Sequence, residues 1–300
     1  MGAIDTAFRN GYQSDFEIKF QQNASRLQST VTVRPQNVER DMYDRLGTVG
    51  VTKKTVRHGP TVLNDADHTR IACLIDDYRP DALAFDNEDK LRMQLADPRN
   101  GYARMQAMAL GRKVDSVIIE AATGTTYTGK QGTTPETYTA ATYGVAVDAV
   151  APGAIAANSN LTIEKLIQAK SKFGVAESVQ DGEELYFIWT QSQMNSLLRT
   201  TEVTNADYNT VRALVNGQVD TFMGFKFIRT ELLSKTGNTR TCLAYPKSAI
   251  ILGMADQVTT RMDERKDLNY TWQVWCQGTF GATRTWLDKV VSVACDESVA

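Results

Sequence analysis

The sequence has few of the side chains from which metal and redox centres are usually built. Its 300 residues include two histidines, His58 and His68, and four cysteines, Cys73, Cys242, Cys276 and Cys295. The cysteines lie far apart, without a CxxC pair and without a histidine at ligand spacing, which disfavours tetrahedral zinc and iron–sulfur sites. We therefore expect reduced thiols and no metal ligands.

Familiar catalytic and nucleotide-binding motifs are also missing. The sequence contains no GxSxG, no HExxH, no phosphate-binding loop ending in GK[ST] and no GxGxxG at the start of a helix. Active sites built from carboxylates leave no such local signature, so an enzyme of that kind stays an alternative. These absences predict a protein that is not an enzyme, with no catalytic residues and no cofactor.

The chain has no excess of one charge and no long apolar run. Lys and Arg total 33 and Asp and Glu total 35, which gives a net charge of -2 and no bulk electrostatic attraction to nucleic acid or to an anionic membrane. No apolar run approaches the roughly 18 residues of a spanning helix, and charges occur where a signal peptide needs an apolar stretch. We expect a protein made in the cytoplasm, without a membrane partner.

The first 47 residues carry too few apolar side chains to bury themselves. Residues 12–30 are typical of a loose amphipathic helix, residues 31–34 of a short extended piece, and residues 36–47 of one or two helical turns that end at Gly47. We expect this segment to be an arm that lies on another surface.

Residues 48–85 are predicted to form a long hairpin. TVGVTKKTVRHG (48–59) alternates valine with polar residues, and TRIACLIDDY (69–78) follows a turn region as the second strand. An isolated hairpin with so little apolar surface is marginal in water, so contact with something else should order it.

Two charged clusters are the strongest candidates for a functional surface. They are Asp76–Asp77 in the hairpin and the run Asp263–Asp267 in a turn between strands. Paired carboxylates can bind Mg²⁺ or transfer protons, and Asp76, Asp77 and Glu264 are the candidates for that alternative. Their positions favour salt bridges between subunits instead, and we expect such contacts to come from eight residues: Lys53, Lys54, Arg57, Arg70, Asp76, Asp77, Glu264 and Arg265.

The rest of the chain alternates helical and extended patterns. A long helix is predicted from Asn87 to Ala122, with a break or bend near Pro98 and Gly101. Further helices are predicted at 162–174 and 191–203, and strands at 184–190, 224–233 and within 242–254, before a β-rich end. This order of elements indicates an α+β fold.

The order of these blocks resembles that of the major capsid proteins of tailed bacteriophages, which share the Hong Kong 97-type fold. The resemblance is carried by the arm, the charged hairpin and the long helix, followed by LYFIWTQSQMNSLLRTTEV (185–203), NGQVDTFMGFKFIRTELL (216–233) and the β-rich return from residue 244. It implies an N-terminal arm at 1–47, an extended loop at 48–85, a peripheral domain with a spine helix at 86–183, an apical domain at 184–243 and a return to the peripheral domain at 244–300.

The resemblance also implies a function and partners. It implies a structural protein that self-assembles into hexamers and pentamers of an icosahedral head, encloses double-stranded DNA with non-specific contacts, assembles in the host cytoplasm and ends in the virion. Since no scaffolding domain precedes the arm in this chain, a separate scaffolding protein is expected, with a portal and a decoration protein as further partners. No intersubunit crosslink is predicted. The alternative within the same fold is the shell protein of an encapsulin-like bacterial nanocompartment.

Overall fold

The computed structural model describes residues 22, 24–51, 53, 57, 68–85, 99–153, 155–180, 182–199, 221–255, 259–268 and 270–299. The chain divides into two compact units. The first comprises Met1–Ser25, Asp77–Lys113 and Asp256–Thr279, and the second comprises Arg26–Asp76, Val114–Ala255 and Phe280–Ala300.

The elements follow one another along the chain as a mixture of short strands and a few helices. In chain order they are β1 (Thr32–Pro35), β2 (Arg40–Leu46), β3 (His68–Leu74), β4 (Asp76–Tyr78), β5 (Leu83–Phe85), α1 (Arg99–Thr123), β6 (Thr126–Thr128), β7 (Thr134–Glu136), α2 (Ala140–Tyr143), α3 (Ile163–Ala176), β8 (Leu185–Trp189), α4 (Gln191–Arg199), β9 (Thr221–Phe222), β10 (Phe225–Arg229), β11 (Lys235–Thr236), β12 (Thr239–Pro246), β13 (Ile250–Met254), β14 (Thr259–Arg265), β15 (Thr271–Arg284) and β16 (Val291–Asp296).

The largest sheet of the second unit has the order β11-β12-β8-β10-β9, and β16 also pairs with β12. β8 and β10 are parallel, whereas β12 is antiparallel to both β8 and β16. β8 is almost entirely buried, which explains its near-continuous apolar sequence, whereas β12 is buried only over its last five residues, Cys242 to Pro246. The strands predicted at 184–190 and 224–233 and the helix that begins at Gln191 are confirmed, although residues 200–203 lie outside the described part of the chain.

Helix α3 begins as the sequence predicts. The Thr162 side chain accepts a hydrogen bond from the backbone N–H of Lys165, which caps the helix, and Leu166 and Phe173 lie on its buried face. The helix ends at Ala176 because Glu177 adopts a left-handed conformation with φ 47°.

A four-stranded sheet in the same unit has the order β2-β3-β6-β7. β2 and β3 are antiparallel, so that Asp44 lies opposite Arg70 and Met42 opposite Ala72. The helical turns predicted at 36–47 are therefore wrong. In this strand Arg45 is buried and Leu46 is exposed. A prediction that assumes exposed charged residues and buried apolar residues therefore does not detect the alternation of the strand.

The predicted hairpin at 48–85 coincides with the observed strands only at its second arm. Within 48–59, the described residues 48–51, 53 and 57 belong to no strand, and the others lie outside the described residues. The observed partner of β3 is β2, so the two paired strands lie on either side of residues 47–67.

The remaining strands pair within each unit separately. In the second unit β1 is parallel to β13, which is antiparallel to residues 280–284 of β15. In the first unit residues 271–277 of β15 pair with β14, and β5 pairs with residues 272–274. The β-rich end of the chain is thereby confirmed.

Helix α1 confirms the predicted long helix from Arg99 onwards. It ends at Thr123, and the Gly124 N–H donates to the Glu120 carbonyl oxygen at 2.7 Å, as expected for a glycine that follows a helix. Residues 87–98, including Pro98, lie outside the described residues, so the proposed bend stays a prediction. Gly101 lies in the first described turn of the helix.

Candidate intersubunit contact surface

The predicted contact residues do not belong to one compact unit. Arg70 and Asp76 lie in the second unit, whereas Asp77, Glu264 and Arg265 lie in the first. All five are exposed, as are Lys53 and Arg57, and Lys54 lies outside the described residues.

Arg70 forms an ion pair across the β2–β3 ladder. Its Nε lies 2.6 Å from Oδ1 of Asp44, and the two side chains are 50% and 62% exposed. An ion pair with this much solvent around it contributes little to stability, typically about 0–1 kcal/mol. Both groups are therefore available to exchange partners without much loss to the fold.

Arg265 also has a local partner. Its guanidinium donates two hydrogen bonds to the Asp267 carboxylate, and its Nη1 donates to Oε1 of Gln273 at 3.3 Å. The hydrogen bond from Arg265 lowers the pKa of Asp267. Neighbouring Glu264 is exposed and lies opposite Trp272 in the β14–β15 ladder.

The three carboxylates of the enzyme alternative, Asp76, Asp77 and Glu264, are all exposed. Asp77 accepts a hydrogen bond from the Thr279 hydroxyl at 2.5 Å, whereas Asp76 belongs to the other unit, and Glu264 lies exposed on β14. Among the described residues, no three His, Cys, Asp or Glu side chains are grouped to hold a metal ion. The helices in the part of the chain described here are all too short or too polar to cross a membrane.

Arg45 anchors a contact network that sequence reasoning missed. This side chain is 6% exposed, and its Nη1 and Nη2 lie 3.2 and 3.3 Å from the Glu136 carboxylate oxygens. Nη1 also donates to the Thr285 carbonyl oxygen at 2.7 Å, and the guanidinium lies 4.8 Å from the centre of the Trp286 ring. A single arginine in a charged stretch carries no sequence signal of these distant partners.

Arg284 is a second buried arginine in the same unit. Its Nη1 donates to the carbonyl oxygens of Ala122 at 2.8 Å and Gly124 at 3.2 Å, where helix α1 ends. A cation at this end of a helix is favoured by the helix dipole. Burial lowers the pKa of Arg284, and nearby Arg45 acts in the same direction while Glu136 opposes it.

Comparison with known proteins gives one family. Residues 4–297 match the model of a family described as phage capsid protein. No curated protein sequence matches the chain.

Solved capsid structures share the fold over almost the whole chain. The capsid of cyanophage P-SCSP1u superposes with a TM-score of 0.71 at 13% identity and covers 97% of this chain and 93% of its own. The capsid of Ralstonia phage GP4 gives 0.71 at 11% identity, with coverage of 96% and 95%. The capsid of cyanophage Pam1 gives 0.70 at 13% identity, with 97% of both chains covered.

Proposed function

Because this chain belongs to the phage capsid protein family, we propose that it is a major capsid protein whose copies form the hexamers and pentamers of an icosahedral head around double-stranded DNA. The observation that carries the proposal is the family match over residues 4–297, and capsid folds that align over nearly their full lengths support it. The family is structural and not enzymatic, and it indicates a place in the virion shell.

The regions of the subunit follow from the same proposal. Residues 1–47 form the arm, 48–85 the extended loop, 86–183 the peripheral domain with its spine helix, 184–243 the apical domain, and 244–300 the return to the peripheral domain. The paired strands β2 and β3 on either side of residues 47–67 support an extended loop that is rooted in a sheet. The spine helix bends near Pro98 and Gly101.

Contacts between subunits use exposed charges on the loop and on the edge strands. Arg70, Asp76 and Asp77 lie on β3 and β4, and Glu264 and Arg265 lie at the end of β14. The ion pairs that these groups make within the subunit are solvent-exposed, so exchange for intersubunit pairs costs little. Lys53, Lys54 and Arg57 belong to the same set through their place in the loop.

The proposed partners follow from shell assembly. A separate scaffolding protein directs assembly in the host cytoplasm, a portal occupies one vertex, and a decoration protein binds the outside. With a net charge of -2, the chain lacks the basic excess of a DNA-reading protein, so its contacts to packaged DNA are non-specific.

Negative-stain electron microscopy tests the proposal. The chain is expressed alone and with its scaffolding protein, and closed shells or hexamer-sized capsomers are expected in at least one sample. A monodisperse monomer at high concentration in both samples contradicts it. Native particles that hold an enzyme cargo and no DNA contradict the phage head and support a nanocompartment.

A further inference from the structure

An open groove lies on the four-stranded sheet at the root of residues 47–67. It has a volume of about 600 Å³, and its charged lining comes from β2, β3 and the β6–β7 turn. The lining includes Asp44, Arg45, Arg70, Lys130 and Glu136, together with His68.

Positive charge exceeds negative charge in and behind this groove. Asp44 is paired with Arg70 and Glu136 with Arg45, which leaves Lys130 without an acidic partner in the part of the chain that the structure describes. Lys130 is exposed in the turn between β6 and β7, so its ammonium faces solvent at the rim.

Arg284 is a further cation in this unit; its Nη1 is hydrogen-bonded at the end of helix α1, and Arg45 and Glu136 are among its electrostatic neighbours. Its side chain is fully buried, and its Nε and Nη2 have no hydrogen-bond partner among the described residues. Nε of Arg45 is likewise buried without a partner. Glu136 is ion-paired with Arg45 and also acts electrostatically on Arg284, so one carboxylate is shared by two guanidiniums.

The same groove has an unpaired strand edge. β6 pairs with β3 only at Ile71 and Ala72, and the Gly129 N–H donates to the Arg70 carbonyl oxygen at 3.0 Å. Towards His68 this edge of β3 has no strand partner among the described residues. Open edges accept extended segments through backbone hydrogen bonds.

We propose that this groove binds an extended, carboxylate-bearing segment of a second copy of this chain, with Lys130 as the ion-pairing residue at its rim. The inference rests on the proposed function, in which copies surround one another. The chain can supply the carboxylate itself, because Asp76 and Glu264 lie exposed on strands without ion pairs among the described residues. The positive charge of Lys130 at the rim favours an acidic segment over a neutral one.

Shell assembly by charge variants of Lys130 tests the groove. Lys130→Glu reverses the rim charge on an exposed turn, and Lys130→Arg keeps it as the matched control. We expect the yield of shells to fall about tenfold or more for Lys130→Glu and to stay near wild type for Lys130→Arg, with equal thermal unfolding of the three unassembled subunits. Equal shell yields for all three proteins contradict the proposed role of the groove and leave the proposed function intact.

Zero-length crosslinking identifies the occupant directly. A carbodiimide joins an amine to a carboxylate in contact, and shells built from mixed light and heavy isotope-labelled subunits distinguish links between copies from links within one copy. A peptide that joins Lys130 of one copy to an Asp or Glu of another supports the proposal. The proposal is overturned if Lys130 is linked only within its own copy or only to a different protein. It is also overturned if Lys130 forms no link to another copy. If wild-type protein forms no shells, the proposed function fails and this inference fails with it.

Discussion

The ammonium of Lys165 lies 2.8 Å from the carbonyl oxygen of Ala294, and this contact joins helix α3 to strand β16. The same nitrogen donates to the carbonyl oxygens of Val147 at 2.9 Å and Ser159 at 2.7 Å. Lys165 is fully buried, and its three N–H donors therefore all have backbone partners. Lys165 makes no salt bridge with a carboxylate of the described residues, and its charge is stabilised mainly by three oriented carbonyl dipoles.

Lys165→Met should destabilise the subunit strongly. Methionine keeps most of the length and apolar volume but removes three hydrogen bonds from a charged donor, although the Val147 and Ser159 oxygens each keep a backbone N–H donor, so we expect a loss of about 1.5–3 kcal/mol in the free energy of unfolding. Urea denaturation of the unassembled subunit measures it. Lys170→Met on the same helix is the control, because exposed Lys170 makes one hydrogen bond, to the Met223 carbonyl oxygen, and should cost less than about 1 kcal/mol. Equal losses for the two variants contradict the role of Lys165.

Gly281→Ala should be among the most damaging single-methyl changes. A Cβ at this position lies 1.8 Å from the Leu74 carbonyl oxygen, which belongs to the backbone and cannot rotate away. We expect a loss of about 3 kcal/mol or more, or failure to fold, measured as the thermal unfolding temperature or the soluble yield.

Gly101→Ala provides the matched control for that change. A Cβ there meets no atom of the described residues within 4 Å, and the residue lies in a helix, so alanine should stabilise the subunit by roughly 0.5–1 kcal/mol. A stabilising Gly281→Ala would show that β15 and the end of β3 do not approach as closely as described.

The subunit should lose stability in acid as the Glu297 carboxylate becomes protonated. Burial raises the pKa of this carboxyl, but hydrogen bonds from Arg240, Lys235 and Gln193 outweigh that effect and lower the pKa from 4.5 to about 2. Because the folded state prefers the carboxylate, this stabilisation is complete above pH 4.5 and is lost as the pH falls towards 2.

Unfolding of wild type and Glu297→Gln across pH 7 to 3 measures this contribution. At pH 7 we expect the variant to be less stable by roughly 1–3 kcal/mol, and the difference should shrink as the pH falls below 4.5. A difference that stays constant with pH would rule out ionisation of Glu297 as its cause.

Asp115→Ala should loosen the chain at Arg26 and Leu27, where the second unit begins. The Asp115 carboxylate, which is fully buried in helix α1, accepts hydrogen bonds from the backbone N–H groups of Arg26 and Leu27, both at 3.1 Å. Limited proteolysis of the unassembled subunit should cut near residue 26 several-fold faster in the variant. Asp115→Asn retains one oxygen acceptor and should show an intermediate rate; unchanged cutting in Asp115→Ala contradicts the contact.

The elements predicted correctly are those with sustained periodicity and an apolar face. Helix α3 buries Leu166 and Phe173 and strand β8 is buried over Tyr186–Trp189, so length and spacing were sufficient to find both elements, although in α3 the apolar Ile167 is exposed and Lys165 is buried. β2 was predicted as a helix because its buried position is Arg45, whose burial depends on Glu136 and Thr285, far away in sequence.

The contact networks were beyond sequence reasoning for a related reason. Lys165 and Arg284 bind backbone carbonyl groups, and every residue has one, so no residue type marks the acceptor. The ion pairs of Glu297 could not be predicted either, because Lys235 and Arg240 on β11 and β12 come close to it only in the folded structure.

Cations that bind the backbone leave their acceptor positions free to vary. Residues 121, 122, 124, 147, 159 and 294 supply a carbonyl oxygen to Lys165 or Arg284, whatever side chain each position carries. Substitutions at Val147 and Ser159 therefore keep the hydrogen bond to Lys165, whereas Ala122 and Gly124 are also constrained by close packing. Anchoring through backbone carbonyl groups allows the side chains at such acceptor positions to change while the geometry that neighbouring copies must fit stays the same.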